Sequence, residues 1–316
     1  MNDNMLIKIR NMIEHLAVGD ALGKICSKYN RKELIEIYGH EITSLVKPIR
    51  RASKYEWVEG SITDDTILTF LVADSLIANR RFNRRDIGLR LIACDPRGGT
   101  QIAKLKESHD PEYMAVDGET NGAAIRVLPL AVTRENLTEL TNNVIELSTL
   151  THGGLESISG ALLTAYSQFY VLNNSEERYS FQFLTNTVYE HYPNIFNTII
   201  WENVCKAFDI AKNVNRNELY DILEKEIGYD KYSWSSIPTA LAIGFHSDNN
   251  YQSLIQLIHR NKSGGDLDTV ASIAGSLLGG IRADYTIADM AKKIETANSF
   301  SFQKYADELY CLRNVK

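Results

Sequence analysis

Apolar residues recur at intervals of three and four along most of this chain. Met5, Leu6, Ile9, Met12, Ile13 and Leu16 mark one face of an amphipathic helix. The pattern predicts that this helix runs into Gly19-Asp20-Ala21-Leu22-Gly23, where two glycines let another backbone come close. From Thr66 the run Ile67-Leu68-Thr69-Phe70-Leu71-Val72-Ala73 is apolar nearly all round and predicts a buried helix that extends to about Asn79. Helical spacing also predicts segments at 84–94, 122–132, 138–149, 155–171, 180–191, 198–211, 218–225, 237–245, 251–261, 270–280 and 287–297. Alternation suited to a half-buried strand is confined to 41–46. The expected fold class is therefore all-α, a compact multi-helix bundle. Polar stretches at 173–178 and 246–250 read as loops too short to link domains, so residues 1–316 are expected to form a single domain.

Composition changes this picture little. The 316 residues are 44% hydrophobic and 23% charged, which excludes a disordered or fibrous chain. A formal charge of -6 argues against a general nucleic-acid binder or a protein of anionic membranes. Cys26, Cys94, Cys205 and Cys311 lie far apart, which disfavours a zinc ribbon, a thioredoxin-type motif and a disulfide framework. Asp3, Lys8, Arg10 and Glu14 interrupt the first apolar stretch, unlike a secretory signal. No apolar run approaches the ~20 residues that cross a bilayer. The expected compartment is the cytoplasm.

The chemistry concentrates in two short segments. Thr63-Asp64-Asp65-Thr66 precedes the buried helix near Ile67, and Gly264-Gly265-Asp266-Leu267-Asp268-Thr269 precedes another helix of small and apolar residues. Asp and Thr suit a helix N-terminus, where they accept hydrogen bonds from unpaired N–H groups. A single cap needs one such residue, however, and adjacent carboxylates in a low-dielectric site repel each other without a cation. Two segments of this kind together point to a metal site. Carboxylates and hydroxyls with no Cys or His nearby form a hard oxygen set, suited to two divalent ions, Mg²⁺ or Mn²⁺. Paired ions of this kind can activate a water. Neither segment fits the twelve-residue loop of an EF-hand.

At these residues the chain resembles the ADP-ribosylglycohydrolase family. The resemblance runs in order through Gly19-Asp20-Ala21-Leu22-Gly23, Thr63-Asp64-Asp65-Thr66 and Asp95-Pro96-Arg97-Gly98-Gly99. It continues through Asn121-Gly122-Ala123-Ala124-Ile125-Arg126-Val127-Leu128-Pro129 and Thr151-His152, and closes on Gly264 to Thr269 and Ala274-Gly275-Ser276-Leu277-Leu278-Gly279. It implies an all-α fold with a binuclear Mg²⁺ or Mn²⁺ centre beneath a cleft. It also implies hydrolysis of the bond between the distal ribose of ADP-ribose and an acceptor, either a protein side chain or a small ADP-ribosyl conjugate. By the same resemblance Thr63, Asp64 and Asp65 hold one ion, while Asp266, Asp268 and Thr269 hold the other, with Asp268 as bridge. Asp64 or Asp65 is the candidate general base for the attacking water. Gly98 and Gly99 read either as a turn or as small residues that let backbone N–H groups approach a pyrophosphate. Gly118, Asn121 and Gly122 are placed at the ribose, and His152 beside the substrate as a hydrogen-bonding group. Arg126 reads either as a phosphate ligand or as a structural ion-pair partner. Tyr29 and Tyr113 are aromatic candidates for the adenine.

Two departures stand out. Family members often carry a Glu a few residues beyond the GDALG element, where this chain has Ser27 or Asn30, and the first acids after it are Glu33 and Glu36. The usual Asp-Thr-Asp-Thr run is Asp266-Leu267-Asp268-Thr269, which loses a hydroxyl but no carboxylate. The missing Glu keeps a second reading open, an ADP-ribose-binding protein with little turnover. A structural member of the fold without ligand chemistry is a third.

Overall fold

Two helices far apart in sequence set the architecture of this computed structural model. The structure describes residues 3–49, 55–95, 102–174, 180–246, 254–255, 264–281 and 285–314. Helix α1 (Asp3–Cys26) lies along α13 (Leu267–Ile281), the most extensive pairing of helices in the molecule. Glycine makes that approach possible. A Cβ on Gly19 would stand 2.1 Å from the Ala271 carbonyl oxygen, and one on Gly23 would stand 2.4 Å from that of Leu267. Both obstacles are backbone and cannot swing aside. Gly19→Ala is therefore expected to destabilise the protein by about 3 kcal/mol, the upper range for overpacking a core. Urea unfolding measures it, and a cost below about 1 kcal/mol would show that the two helices slide apart freely.

Residues 267–280 of α13 are buried without a break, so this helix has no solvent face. It is enclosed by α1, by α3 (Asp64–Asn79), by α8 (Leu155–Asn173) and by α12 (Ser233–Phe245). The outer elements are α4 (Arg84–Ala93), α7 (Leu137–Ser148), α9 (Phe181–His191), α10 (Ile199–Asn213), α11 (Arg216–Glu226), α14 (Ala288–Asn298) and α15 (Phe302–Arg313). Three short helices, α2 (Arg31–Tyr38), α5 (Ile102–Ser108) and α6 (Leu128–Thr133), complete the set. Pro238 inside α12 removes the N–H that would bond the Trp234 carbonyl. Asn203 of α10 supplies the missing donor, its amide lying 2.6 Å from that oxygen.

The all-α expectation holds, with three differences of detail. The segment 41–46 forms no strand: Ile42 and Leu45 are buried three residues apart on an irregular stretch with no partner strand among the described residues. The helix expected over 122–132 is two pieces, a 3₁₀ turn at Asn121–Arg126 followed by α6. Pro129 explains the break, since its ring is tolerated in a first turn but collides with the preceding carbonyls inside a helix. Helices α2, α5 and α15 form where none was expected. The segment expected at 251–261 lies outside the described residues except for 254–255, as do 175–178 and 247–250 of the two loops. Among the described residues no helix is long and apolar enough to cross a membrane. Among the described residues no disulfide joins Cys26, Cys94, Cys205 and Cys311.

Candidate functional site

The N-termini of α3 and α13 meet at the floor of a cleft of about 330 Å³, within the range of small-molecule sites. Asp64, Asp65, Asp266, Asp268 and Thr269 line it, together with Asn121, Gly122 and His152. A direct bond joins the two acidic segments: the Thr269 hydroxyl donates to Asp65 Oδ1 at 3.1 Å. The structure thus brings together segments some 200 residues apart.

Capping of α3 is carried out by other groups. Thr63 is the N-cap, its side chain accepting from the Asp65 N–H at 3.2 Å. Asp20, fully buried on α1, accepts from the Thr63 and Thr66 amides at 2.9 and 3.2 Å and from their hydroxyls at 2.7 and 2.6 Å. The carboxylates of Asp64 and Asp65 are therefore not needed to finish the helix. Asp65 accepts from the Thr269 hydroxyl instead, since the Thr63 proton is taken by the closer Asp20.

Crowding among these aspartates favours the neutral forms of Asp20, Asp64, Asp65 and Asp266. Burial, followed by the charge of Asp268 and Asp20, pushes Asp64 up to about 7. Burial and then Asp268 push Asp266 to about 7, and burial pushes Asp20 to about 6 in spite of its four hydrogen bonds. Asp65 is raised well above the usual range by burial and by all four neighbouring carboxylates. Each folded value lies above the ordinary 3.8, so the folded protein binds more protons than the unfolded chain. The stability these groups contribute is complete below about pH 4 and is lost as pH rises through 6 to 7. The thermal midpoint of chelator-treated protein is thus expected to fall by at least about 5 °C between pH 5 and pH 8. Mg²⁺ should restore it more at pH 8 than at pH 5. A midpoint flat across that range would contradict the clustering of ionisable groups.

Lys24 lies one turn beyond Asp20 on α1, and its ammonium reaches Asp268 Oδ2 at 3.0 Å. Asn121, at the start of the 3₁₀ turn, donates to Asp266 Oδ2 at 2.7 Å and to the Ser236 hydroxyl at 2.9 Å. The loop before α12 fixes this arrangement from outside. The Asn121 N–H bonds the Lys231 carbonyl, Ser233 N–H bonds that of Glu119, and Asp266 N–H bonds that of Tyr229.

His152 is buried, with Nδ1 2.7 Å from the Thr151 hydroxyl and Nε2 2.9 Å from that of Thr120. Arg126, itself fully buried, donates to the same Thr151 hydroxyl. The Thr151 hydroxyl, accepting from Arg126, donates its O–H to Nδ1, and Nε2–H donates to Thr120. Burial and the Arg126 charge lower His152 to about 3, so the imidazole is neutral. Arg126 makes no ion pair among the described residues and lines the cleft. A Cβ on Gly122 would stand 2.9 Å from the His152 ring, so only glycine seats this imidazole.

Gly118 adopts a positive φ of 107° in the turn before Thr120 and is not among the residues lining the cleft. Gly98 and Gly99 lie outside the described residues. Tyr29 and Tyr113 do not line the cleft either. Glu33 and Glu36 do not replace the missing Glu. Glu33 completes a capping box with Asn30 at the start of α2, and Glu36 lies on the exposed face of that helix beside Lys32. Ser27 stands in the cleft instead, with Lys28 and Lys231 also on its wall. Asp20 and Lys24 were not singled out from the sequence. Their i, i+4 spacing beside Gly19 and Gly23 was the available signal, since it puts the polar pair on an adjoining strip of one helix.

An all-helical bundle with a buried, oxygen-rich acidic cleft defines the class of protein. Residues 1–295 match the family described as ADP-ribosylglycohydrolase, and the chain belongs to that family. It is 26% identical over 283 residues to an uncharacterized protein of Archaeoglobus fulgidus, covering 86% of this chain and 87% of the other. It is 23% identical over 321 residues to the uncharacterized protein YegU of Escherichia coli, covering 93% of each. A solved structure described as an ADP-ribosylglycohydrolase-related protein complex superposes with a TM-score of 0.70 at 18% identity. That match covers 98% of this chain and 99% of the other, and it shows a shared fold.

Proposed function

We propose that this protein hydrolyses ADP-ribosyl conjugates, releasing ADP-ribose from an acceptor on the distal ribose. Membership of the family supports this reading, and the observation that carries it is the junction of the two acidic segments through Thr269 and Asp65. The donor set fits a divalent cation: the buried Asp65 and Asp268, the partly buried Asp64 and Asp266 and the Thr269 hydroxyl line the cleft as a hard oxygen site that is costly without added positive charge. Among the described residues, no three such side chains yet stand at the spacing of a formed metal site. The candidates to hold it are Thr63, Asp64 and Asp65 on one side of the floor and Asp266, Asp268 and Thr269 on the other. Mg²⁺ or Mn²⁺ bound there would supply positive charge that acidifies water and holds ribose hydroxyls.

The chain's own groups supply the rest. Asp64 or Asp65 accepts the proton of the attacking water at a carboxylate oxygen; Asp64, raised to about 7, is a base matched to neutral pH, and Asp65 is raised by the same crowding. Asn121 donates to Asp266, and the neutral His152, seated against Gly122 with its nitrogens on Thr151 and Thr120, lines the cleft. Lys28 and Lys231 on the wall give the cleft a basic side suited to a pyrophosphate. Ser27, where an acid is usual in the family, favours a second reading as an ADP-ribose binder with slow turnover.

Chromatography of peptides ADP-ribosylated on arginine or on serine, with Mg²⁺ and with excess EDTA, tests the proposal. Release of ADP-ribose that stops with EDTA supports hydrolysis. Calorimetric binding of ADP-ribose without release from any conjugate supports the second reading, and neither binding nor release overturns both.

A further inference from the structure

The acidic floor of the cleft already holds a positive charge of its own. The Lys24 ammonium lies 3.0 Å from Asp268 Oδ2, with the lysine side chain only 17% exposed and the aspartate 7%. On its other flank the same ammonium stands 5.5 Å from the ring centroid of the buried Trp57. A carboxylate on one side and an indole face on the other hold the lysine in the cleft rather than at its mouth. Its charge also acts on Asp64, across the floor.

The two halves of the floor differ in what they accept. Asp266 and Asp268 of the α13 half accept from nitrogen donors, Asn121 Nδ2 and Lys24 Nζ. A nitrogen that donates has no lone pair to offer a metal, so each claims one of the two oxygens its carboxylate could turn to an ion. Asp65 of the α3 half accepts from the Thr269 hydroxyl, which can turn and present oxygen instead. A divalent ion on Asp268 would also face an ammonium on the same carboxylate, in surroundings that screen it poorly.

Resting on the reading of the cleft as a cation-assisted ADP-ribosyl hydrolase site, we propose that the Lys24 ammonium is a built-in second cation at Asp268. The cleft then takes a single divalent ion, on the side of Thr63, Asp64 and Asp65. An ammonium supplies charge and hydrogen-bond donation but no open ligand position. It can therefore hold a substrate hydroxyl, whereas an activated water belongs to the other half of the floor.

Counting Mn²⁺ on the purified full-length protein tests this without an activity assay. Titration calorimetry gives the stoichiometry, and electron paramagnetic resonance separates an isolated Mn²⁺ from an exchange-coupled pair. The wild type is expected to bind one ion per chain with an isolated six-line spectrum. Lys24→Met, which removes the charge and keeps the bulk, is expected to bind a second ion and give the coupled spectrum. Lys24→Arg, which keeps the charge, should stay at one. Two ions on the wild type, or one ion on folded Lys24→Met and Lys24→Ala alike, would overturn the lysine's role and leave the hydrolase reading intact. No uptake by the wild type or any variant would remove the cation site itself, and the lysine proposal with it.

Discussion

Asp65→Asn is expected to lower ADP-ribose release by about three orders of magnitude, the scale on which a cation site and a general base act together. The same substitution should raise the thermal midpoint of the chelator-treated protein. Asp65 is 3% exposed and lies among Asp20, Asp64, Asp266 and Asp268, each of which disfavours its charge. Asparagine has nearly the same shape and keeps an oxygen for the Thr269 hydroxyl, but it carries no charge to repel or to bind with. Lost rate with unchanged far-ultraviolet dichroism and a higher midpoint marks a residue retained for chemistry at a cost in stability. A near-normal rate would contradict the assigned site, and loss of both helicity and rate would make Asp65 structural.

Asp20→Ala should have the opposite signature. Its carboxylate is the acceptor for two amides and two hydroxyls at the start of α3, all of them buried. Truncation leaves those donors without an acceptor in a place water does not reach, at a cost of about 4 kcal/mol. Urea denaturation reads that cost directly, and Asp20→Asn, which retains one carbonyl oxygen, should lose less. A cost under about 1 kcal/mol would mean that Thr63 alone secures the turn. Activity should fall with stability, because Asp64 and Asp65 ride on the turn that Asp20 holds.

Much of this was legible before any coordinates. The buried helices α3, α8 and α13 follow from apolar runs too broad for a surface helix, and the acidic segments mark their own helix starts. Short or weakly patterned helices were harder to see. Helix α2 has one buried side chain, Leu34, and shows itself mainly through the Asn30–Glu33 capping box. Helix α15 buries Phe302, Ala306 and Leu309 at helical spacing, but polar residues dilute the pattern. The strand expected at 41–46 failed because alternation describes burial and does not supply a neighbouring strand. Within the site, residue types revealed the carboxylates. The roles of Asp20 and Lys24 depend on α1 lying against α13, a tertiary fact that no local pattern carries. Glu33 and Glu36 follow the GDALG element closely in sequence, but the turn of α2 carries both to the surface.

The pairing of α1 with α13 also bears on how the protein comes to exist. Its partners are separated by roughly 250 positions, so the loop that must close to join them is among the longest the chain can make. Contacts of such span form slowly and late. A chain emerging from the ribosome would carry α1 with its glycine strip uncovered through most of synthesis, and the acidic floor would assemble only when α13 arrives. Catalytic competence and completion of the native core should therefore appear in the same kinetic phase on refolding.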